Sequence, residues 1–378
     1  MKALVKILYN LSPFILCILG FIMFCYPLAL FEQLPGDLGD ARFINYLLEH
    51  GWLWLHKYGV HTRFWDIPMF YPNTNTLSFS DMMIGGMILY APIRLFVNNP
   101  QNALAVWFIL LCLLNYFSSY LVLRKGFNFD KFVSAVGAFI FAFGLVRQNR
   151  ICHMQLMTQF FMMFSILGIL LLDKSKSKLW NNCCFLITML FFVLQIYTSF
   201  YLGWFMVFGT VVLILLMAII PELKTKLYNF IKSYKYEIIG YSIICIILLI
   251  PLVEHYIAVG AQQPYSLRRL AQLLGIFSSS SILDNLFSPS SSLVEHEYRM
   301  GMGYFTSIIS ILGIIFCKNH RKYIFSYIGI ILAFFTILPL NFLLYTCFPG
   351  ESAIRAGGRI ILLLLPIYVY GLANFIKK

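Results

Sequence analysis

Runs of about 18 or more consecutive apolar residues recur along this chain. A run of that length crosses the ~30 Å hydrocarbon core of a bilayer as a helix rising about 1.5 Å per residue. Inside lipid every backbone N–H and C=O must be bonded within the protein, which leaves helices or closed barrels. The runs here are continuous rather than alternating, so they read as helices. Composition agrees: 60% of the 378 residues are apolar and 11% charged, whereas the surface of a soluble domain needs roughly a quarter charged residues.

The expected spans are 8–31, 102–123, 132–147, 154–172, 180–197, 200–220, 238–253, 304–317, 323–341 and 360–376. The stretch 82–97 is apolar but short, with Pro92 and Arg94 inside it, and reads as a re-entrant or interfacial helix. The first run follows Lys2 and Lys6 but is too long for the core of a signal peptide, and no small-residue cleavage site follows it. It reads as a retained helix. The chain is thus expected to be an all-α polytopic membrane protein with about ten transmembrane helices, forming a single integral-membrane domain over 1–378. Nine cysteines, scattered mostly within apolar runs and without CxxC spacing, read as small packing residues rather than a disulfide framework.

Ten spans put both termini on one side. If that side is cytoplasmic, the cytoplasmic segments hold 17 of the 28 basic residues and four acids, Asp130, Asp173, Glu222 and Glu237. That difference equals the whole net charge of +13. The positive balance is therefore a topology signal, and a nucleic-acid partner is excluded as its explanation. Of the 11 basic residues on the other side only Lys57 is lysine; the rest are Arg42, Arg63, Arg94, Arg147, Arg150, Arg268, Arg269, Arg299, Arg355 and Arg359. A guanidinium grips phosphate or carboxylate through two parallel hydrogen bonds, where an ammonium acts as a point charge. The outer face reads as suited to anions, with pairing to the 11 outer acids as the competing account for any single arginine.

Two outer segments are long. Residues 32–101 form the first extracytoplasmic loop. It opens with Pro35-Gly36-Asp37-Leu38-Gly39-Asp40-Ala41-Arg42, runs through an interfacial stretch containing Trp52 and Trp54, and then reaches Asp66 and Asp81. Residues 254–303 form the second, with Glu254-His255, Arg268-Arg269, Asp284 and Glu295-His296-Glu297. Arg147, Arg150, His153, Gln155 and Gln159 cluster at the junction of the third and fourth spans, and Arg355 and Arg359 flank a glycine turn before the last. His255 and His296 each neighbour a glutamate, but no HxxxH or HExxH spacing exists to mark a zinc site. Asp37 and Asp40 could share a divalent cation, Mg²⁺ or Mn²⁺. Asn115 and Gln195 lie within spans and are expected to make interhelical hydrogen bonds.

GDLGDARF, FWDIPMFYPNTNTLSFSD and RICHMQLMTQFF, with weaker support from SSILDNLFSP, GMGYF and IRAGGR, resemble segments of the GT-C superfamily of integral-membrane glycosyltransferases, bacterial members especially. The resemblance covers about half of the chain. It implies a GT-C-like fold in a bacterial cytoplasmic membrane, both termini cytoplasmic, and an active site facing away from the cytoplasm. The implied reaction transfers a sugar from a polyprenyl-phosphate-linked donor to an extracytoplasmic glycan or lipid acceptor. The catalytic role carries over to Asp40, with Asp37 as rival or partner; Arg42, Asp66, Asp81, Arg150, His153, Arg355 and Arg359 are expected to bind substrate or its phosphate. The alternative is a transporter or flippase of a lipid-linked sugar or other anion. Transporters place charge near the bilayer midplane and often repeat their halves; the span interiors here are essentially free of charge and no repeat is visible.

Overall fold

The computed structural model describes residues 2–25, 35, 36, 38–175, 177–262, 301–354 and 357–378. Asp37, Arg355 and the stretch 263–300, with Arg268, Arg269, Asp284, Arg299 and His296, lie outside the described residues. Among the described residues all regular structure is helical. In chain order the helices are α1 (Lys2–Gly20), α2 (Asp40–Leu55), α3 (Ile84–Arg94), α4 (Pro100–Leu121), α5 (Lys131–Phe143), α6 (Phe160–Leu171) and α7 (Lys178–Thr198). They continue with α8 (Phe200–Ile219), α9 (Pro221–Gln262), α10 (Tyr304–Ile315), α11 (Arg321–Thr336), α12 (Leu338–Cys347) and α13 (Ile361–Lys377).

Several starts are written locally. The Asn99 side chain accepts from the amides of Gln101 (2.8 Å) and Asn102 (3.2 Å) with Pro100 at the first helical position of α4. Asp130 caps α5 through the Val133 amide at 2.9 Å, and Ser177 caps α7 through that of Trp180 at 3.4 Å. These caps satisfy amides that would otherwise be unbonded at a helix end.

Among the described residues eight helical stretches are long and apolar enough to cross a bilayer. They match the expected spans from 8–31 through 238–253, and also 360–376. The two remaining expectations are not met by a single long helix. The span expected at 304–317 is α10, only 12 residues long, or about 18 Å, short of a ~30 Å core. The span expected at 323–341 is broken: α11 and residues 339–347 meet at 87°, because Ile337 is extended and Pro339 starts a new helix. As expected, 82–97 does not span; α3 is an 11-residue helix.

Contacts between loops sort into two ends. At one, Lys131 Nζ donates to Asn10 Oδ1 at 3.1 Å, Lys174 Nζ to the Gly126 carbonyl at 3.0 Å and Lys322 Nζ to Glu222 Oε1 at 3.1 Å, and the Tyr234 hydroxyl donates to Asp173. At the other, the Tyr256 hydroxyl donates to the Ser80 carbonyl at 3.0 Å and Trp204 Nε1 to that of Pro349 at 2.9 Å, while the Trp65 and His255 rings stack at 3.7 Å. Each of these joins segments that the charge map assigns to a single side. α9 breaks at Tyr234, where the backbone leaves the helix (φ −123°, ψ 23°), so its lysine-rich first part turns away from its apolar second part.

Two apolar cores support the bundle, one around Trp107, Phe108 and Tyr116, the other around Phe205, Phe335 and Val369. Among the described residues no cysteine forms a disulfide. α2 lies at the second of the two ends and is braced by a histidine pair. His50 Nδ1 lies 2.9 Å from His61 Nδ1, and His50 Nε2 lies 2.8 Å from the Phe64 carbonyl. A carbonyl can only accept, so His50 carries its proton on Nε2 and takes a hydrogen bond from His61.

Candidate functional site

The opening motif turns into α2 on two glycines. Gly36 has φ +95°, and a methyl group there would sit 2.9 Å from Ala41 Cβ and 3.1 Å from the Ile151 carbonyl oxygen. Only glycine lets the motif lie against the backbone of 151–152 at that conformation. The contact brings the start of α2 beside the passage between α5 and α6.

That passage is fastened from four directions. Buried Arg147 donates from Nε to the Phe141 carbonyl at 2.9 Å and from Nη1 to that of Leu156 at 3.3 Å. From α4, Asn115 Nδ2 donates to the Met157 carbonyl at 2.6 Å; from α7, Gln195 Oε1 accepts from the Met162 amide at 3.2 Å. Gln159 Nε2 reaches the Leu362 carbonyl of α13 at 2.6 Å. Asn115 and Gln195 do make the interhelical bonds expected of them. Met157 lies in the short turn 154–157 that follows His153 and carries Gln155, and Met162 lies in the first turn of α6 just beyond it, so the bonds also support the site.

On this support, His153 Nε2 lies 3.1 Å from Asp40 Oδ2; the Asp40 side chain is 54% exposed and that of His153 12%. Behind them Asp81 is buried, accepting from the Phe200 amide, with Gln155 hydrogen-bonded to it. Burial pushes the Asp81 carboxyl from 3.8 up to about 6, while those bonds and the charges of Arg359 and His153 pull it back. Arg359 is 6% exposed and lies over the Tyr201 ring at 4.9 Å. An exposed acid, an imidazole, a buried acid and a buried guanidinium thus gather at one end of the bundle.

Of the expected site residues, Asp40, His153, Asp81 and Arg359 converge. Arg150 is fully buried directly beneath them in the chain, its carbonyl accepting from the His153 amide at 3.0 Å. Asp66 has a different role: Oδ1 accepts from the Asn75 amide at 2.6 Å and Oδ2 lies 3.6 Å from Arg63, which shapes the turn that meets His255. Arg42 is exposed on the other face of α2. Several outer arginines are structural ties rather than anion holders: Arg147 to carbonyls, Arg63 to Asp66, and Arg94 to Glu49 at 2.5 Å. Sequence reading missed Tyr201, the Phe200 amide and Glu351, a buried carboxyl pushed up to about 7 by desolvation. None of these carries a motif; only folding brings them to this end. Among the described residues no three His, Cys, Asp or Glu side chains gather as metal ligands, and Asp37, the other half of the acid pair considered for Mg²⁺ or Mn²⁺, lies outside them.

Compared with protein-family models, with curated proteins and with solved structures, the chain gives no match in any of the three.

The raised Asp81 has a consequence for stability. Folding disfavours its charged form, so the penalty is absent below pH 3.8, where the group is protonated folded or unfolded, and is complete above about 6. At about 1.4 kcal/mol per pH unit it reaches roughly 3 kcal/mol. Asp81→Asn keeps an acceptor for Phe200 and removes the charge. It is expected to raise the melting temperature of the detergent-purified protein at pH 8 and to leave it unchanged at pH 3.5. An equal shift at both values would mean that Asp81 ionisation is not the cause.

Proposed function

We propose that the chain is a GT-C-type glycosyltransferase of a bacterial cytoplasmic membrane, working at the extracytoplasmic surface with both termini in the cytoplasm. It moves a sugar from a polyprenyl-phosphate-linked donor to a glycan or lipid acceptor. The observation that carries this reading is the pairing of Asp40 with His153 above buried Asp81 and Arg359. A solvent-facing carboxylate beside an imidazole, with a buried acid and a guanidinium behind, is a set suited to taking a proton and holding a phosphate.

In the proposed step, the acceptor hydroxyl oxygen attacks the anomeric carbon as the bond from that carbon to the phosphate oxygen breaks. The hydroxyl proton passes to Asp40, whose other oxygen is held by His153. The leaving polyprenyl phosphate departs with the bonding pair, and Arg359 stabilises its growing charge. No step is routed through a cation. The lysine-rich opposite end supports the orientation, since cytoplasmic loops collect lysine and arginine.

The test uses proteoliposomes carrying the full chain, a polyprenyl-phosphate donor labelled in its sugar, and membranes supplying acceptor. Label is expected to leave the donor lipid with the wild type and to do so at least about 10-fold more slowly with Arg359→Gln, the loss typical of a missing charge-stabilising group or larger. Label that crosses the bilayer while still attached to its donor would overturn the enzyme reading in favour of transport.

A further inference from the structure

A cavity of about 380 Å³ lies beside α2, lined by Leu38, Arg42, Asn45, Tyr46, Glu49 and the exposed Gln101 at the start of α4. Positions 42, 45, 46 and 49 share one helical face, whereas Asp40 is two residues from Arg42 and so about 160° around the helix at 3.6 residues per turn. The cavity is therefore not part of the Asp40 cluster. Its volume falls within the ~300–1,000 Å³ of small-molecule sites, and five of its six lining residues can form hydrogen bonds.

Its floor is rigid. Glu49 Oε1 accepts from Arg94 Nε at 2.5 Å and from the Tyr90 hydroxyl, and Oε2 accepts from Arg94 Nη2 at 3.3 Å. Arg94 is itself held by the carbonyls of Val97 (2.6 Å) and Asn98 (2.9 Å). A carboxylate offers about four acceptor positions; three of those of Glu49 are taken, and its charge is already balanced by Arg94. Asn45 stands 3.4 Å from Tyr90 on the same floor, and the Tyr46 ring is braced at 6.2 Å by His61.

We propose that this cavity binds a sugar ring. Two side-chain amides, a fixed carboxylate and a guanidinium each present adjacent polar atoms that match neighbouring hydroxyls, while the Tyr46 ring covers an apolar ring face. Glu49 is already paired with Arg94, so the charge left in the lining is that of Arg42, which suits a neutral or an acidic sugar. Under the transfer reading, on which this assignment of the ring rests, the ring belongs to the acceptor glycan. It sits about one helix diameter, ~10 Å, from the base, far enough for it to be a unit remote from the reacting hydroxyl. The cavity would then select the acceptor without touching the bond that forms.

The test is binding of free sugars to the detergent-purified full chain, read by saturation-transfer NMR and calorimetry. The probes are the methyl glycosides of glucose, N-acetylglucosamine and glucuronic acid. At least one is expected to bind, at least 10-fold more weakly to Tyr46→Leu and Gln101→Ala, and with unchanged affinity to Asp40→Asn. Binding of none, equal binding to all variants, or loss in Asp40→Asn alone would each overturn the proposal. The readout needs no transfer. Binding at the cavity without any transfer would sink the enzyme reading and keep the sugar site, and transfer without cavity binding would do the reverse.

Discussion

Asp40→Asn is expected to lower sugar transfer by about 10²–10⁴-fold, the range for loss of a general base, with little effect on the affinity for the donor. Asparagine has the same shape and still accepts a hydrogen bond from His153, so the start of α2 should remain in place. It cannot take up the acceptor's proton. His153→Gln is expected to fall between the two. It removes the imidazole 3.1 Å from Asp40 Oδ2, so the carboxylate is less well aimed, but leaves it able to accept a proton. Undiminished transfer by Asp40→Asn would remove the residue from the chemistry and shift attention to Asp81, the buried acid whose carboxyl titrates near 6.

The membrane architecture was legible because a bilayer imposes few solutions. An apolar run such as Phe200–Ile219 has to be a helix in lipid, and its ends coincide with the expected 200–220. The lysine-rich segments came together at one end because like topology groups them, as Lys174 with the 126–128 turn illustrates. Hydropathy could not register the break at Ile337, because both arms of the 87° bend are equally apolar. The residues that gather around Asp40 stood out in the sequence, but their pairings did not. Asp40 and His153 are far apart in sequence, and their contact depends on Gly36 fitting against 151–152. Asp66 and Asp81 stand in one motif-like passage, yet the first shapes a turn with Asn75 and the second is buried against the Phe200 amide. Sequence proximity gave them one role; folding separated them. Arginine type alone likewise said little about contacts, since Arg94 and Arg147 donate to Glu49 and to carbonyls within the chain.

Gly313→Val is expected to be strongly destabilising, since among the described glycines a Cβ at Gly313 makes the closest approach to another residue. α10 and α13 run parallel, with the Asn374 side chain donating to the Gly313 carbonyl at 2.7 Å. A Cβ at Gly313 would lie 1.8 Å from the Gly371 carbonyl oxygen, and one at Gly371 would lie 2.4 Å from that of Ser310. Both clashes are with backbone, which cannot rotate away as a side-chain tip can, so the helices must separate. Small residues are what permit such an approach in a membrane, where packing rather than the hydrophobic effect holds helices together. Inserting bulk into a tight contact costs about 1–3 kcal/mol where side chains can give way, and valine here is expected to exceed that range. Gly313→Ala should lose less stability but still lose transfer, because α13 follows directly on Arg359 and a shift of the helix moves that guanidinium from Asp81. Gly329→Val in α11 is the control, since a Cβ there meets nothing within 4 Å. Thermal unfolding followed by size-exclusion of the detergent-solubilised proteins measures the difference; equal melting temperatures for the two valine variants would mean that α10 and α13 do not touch at these glycines.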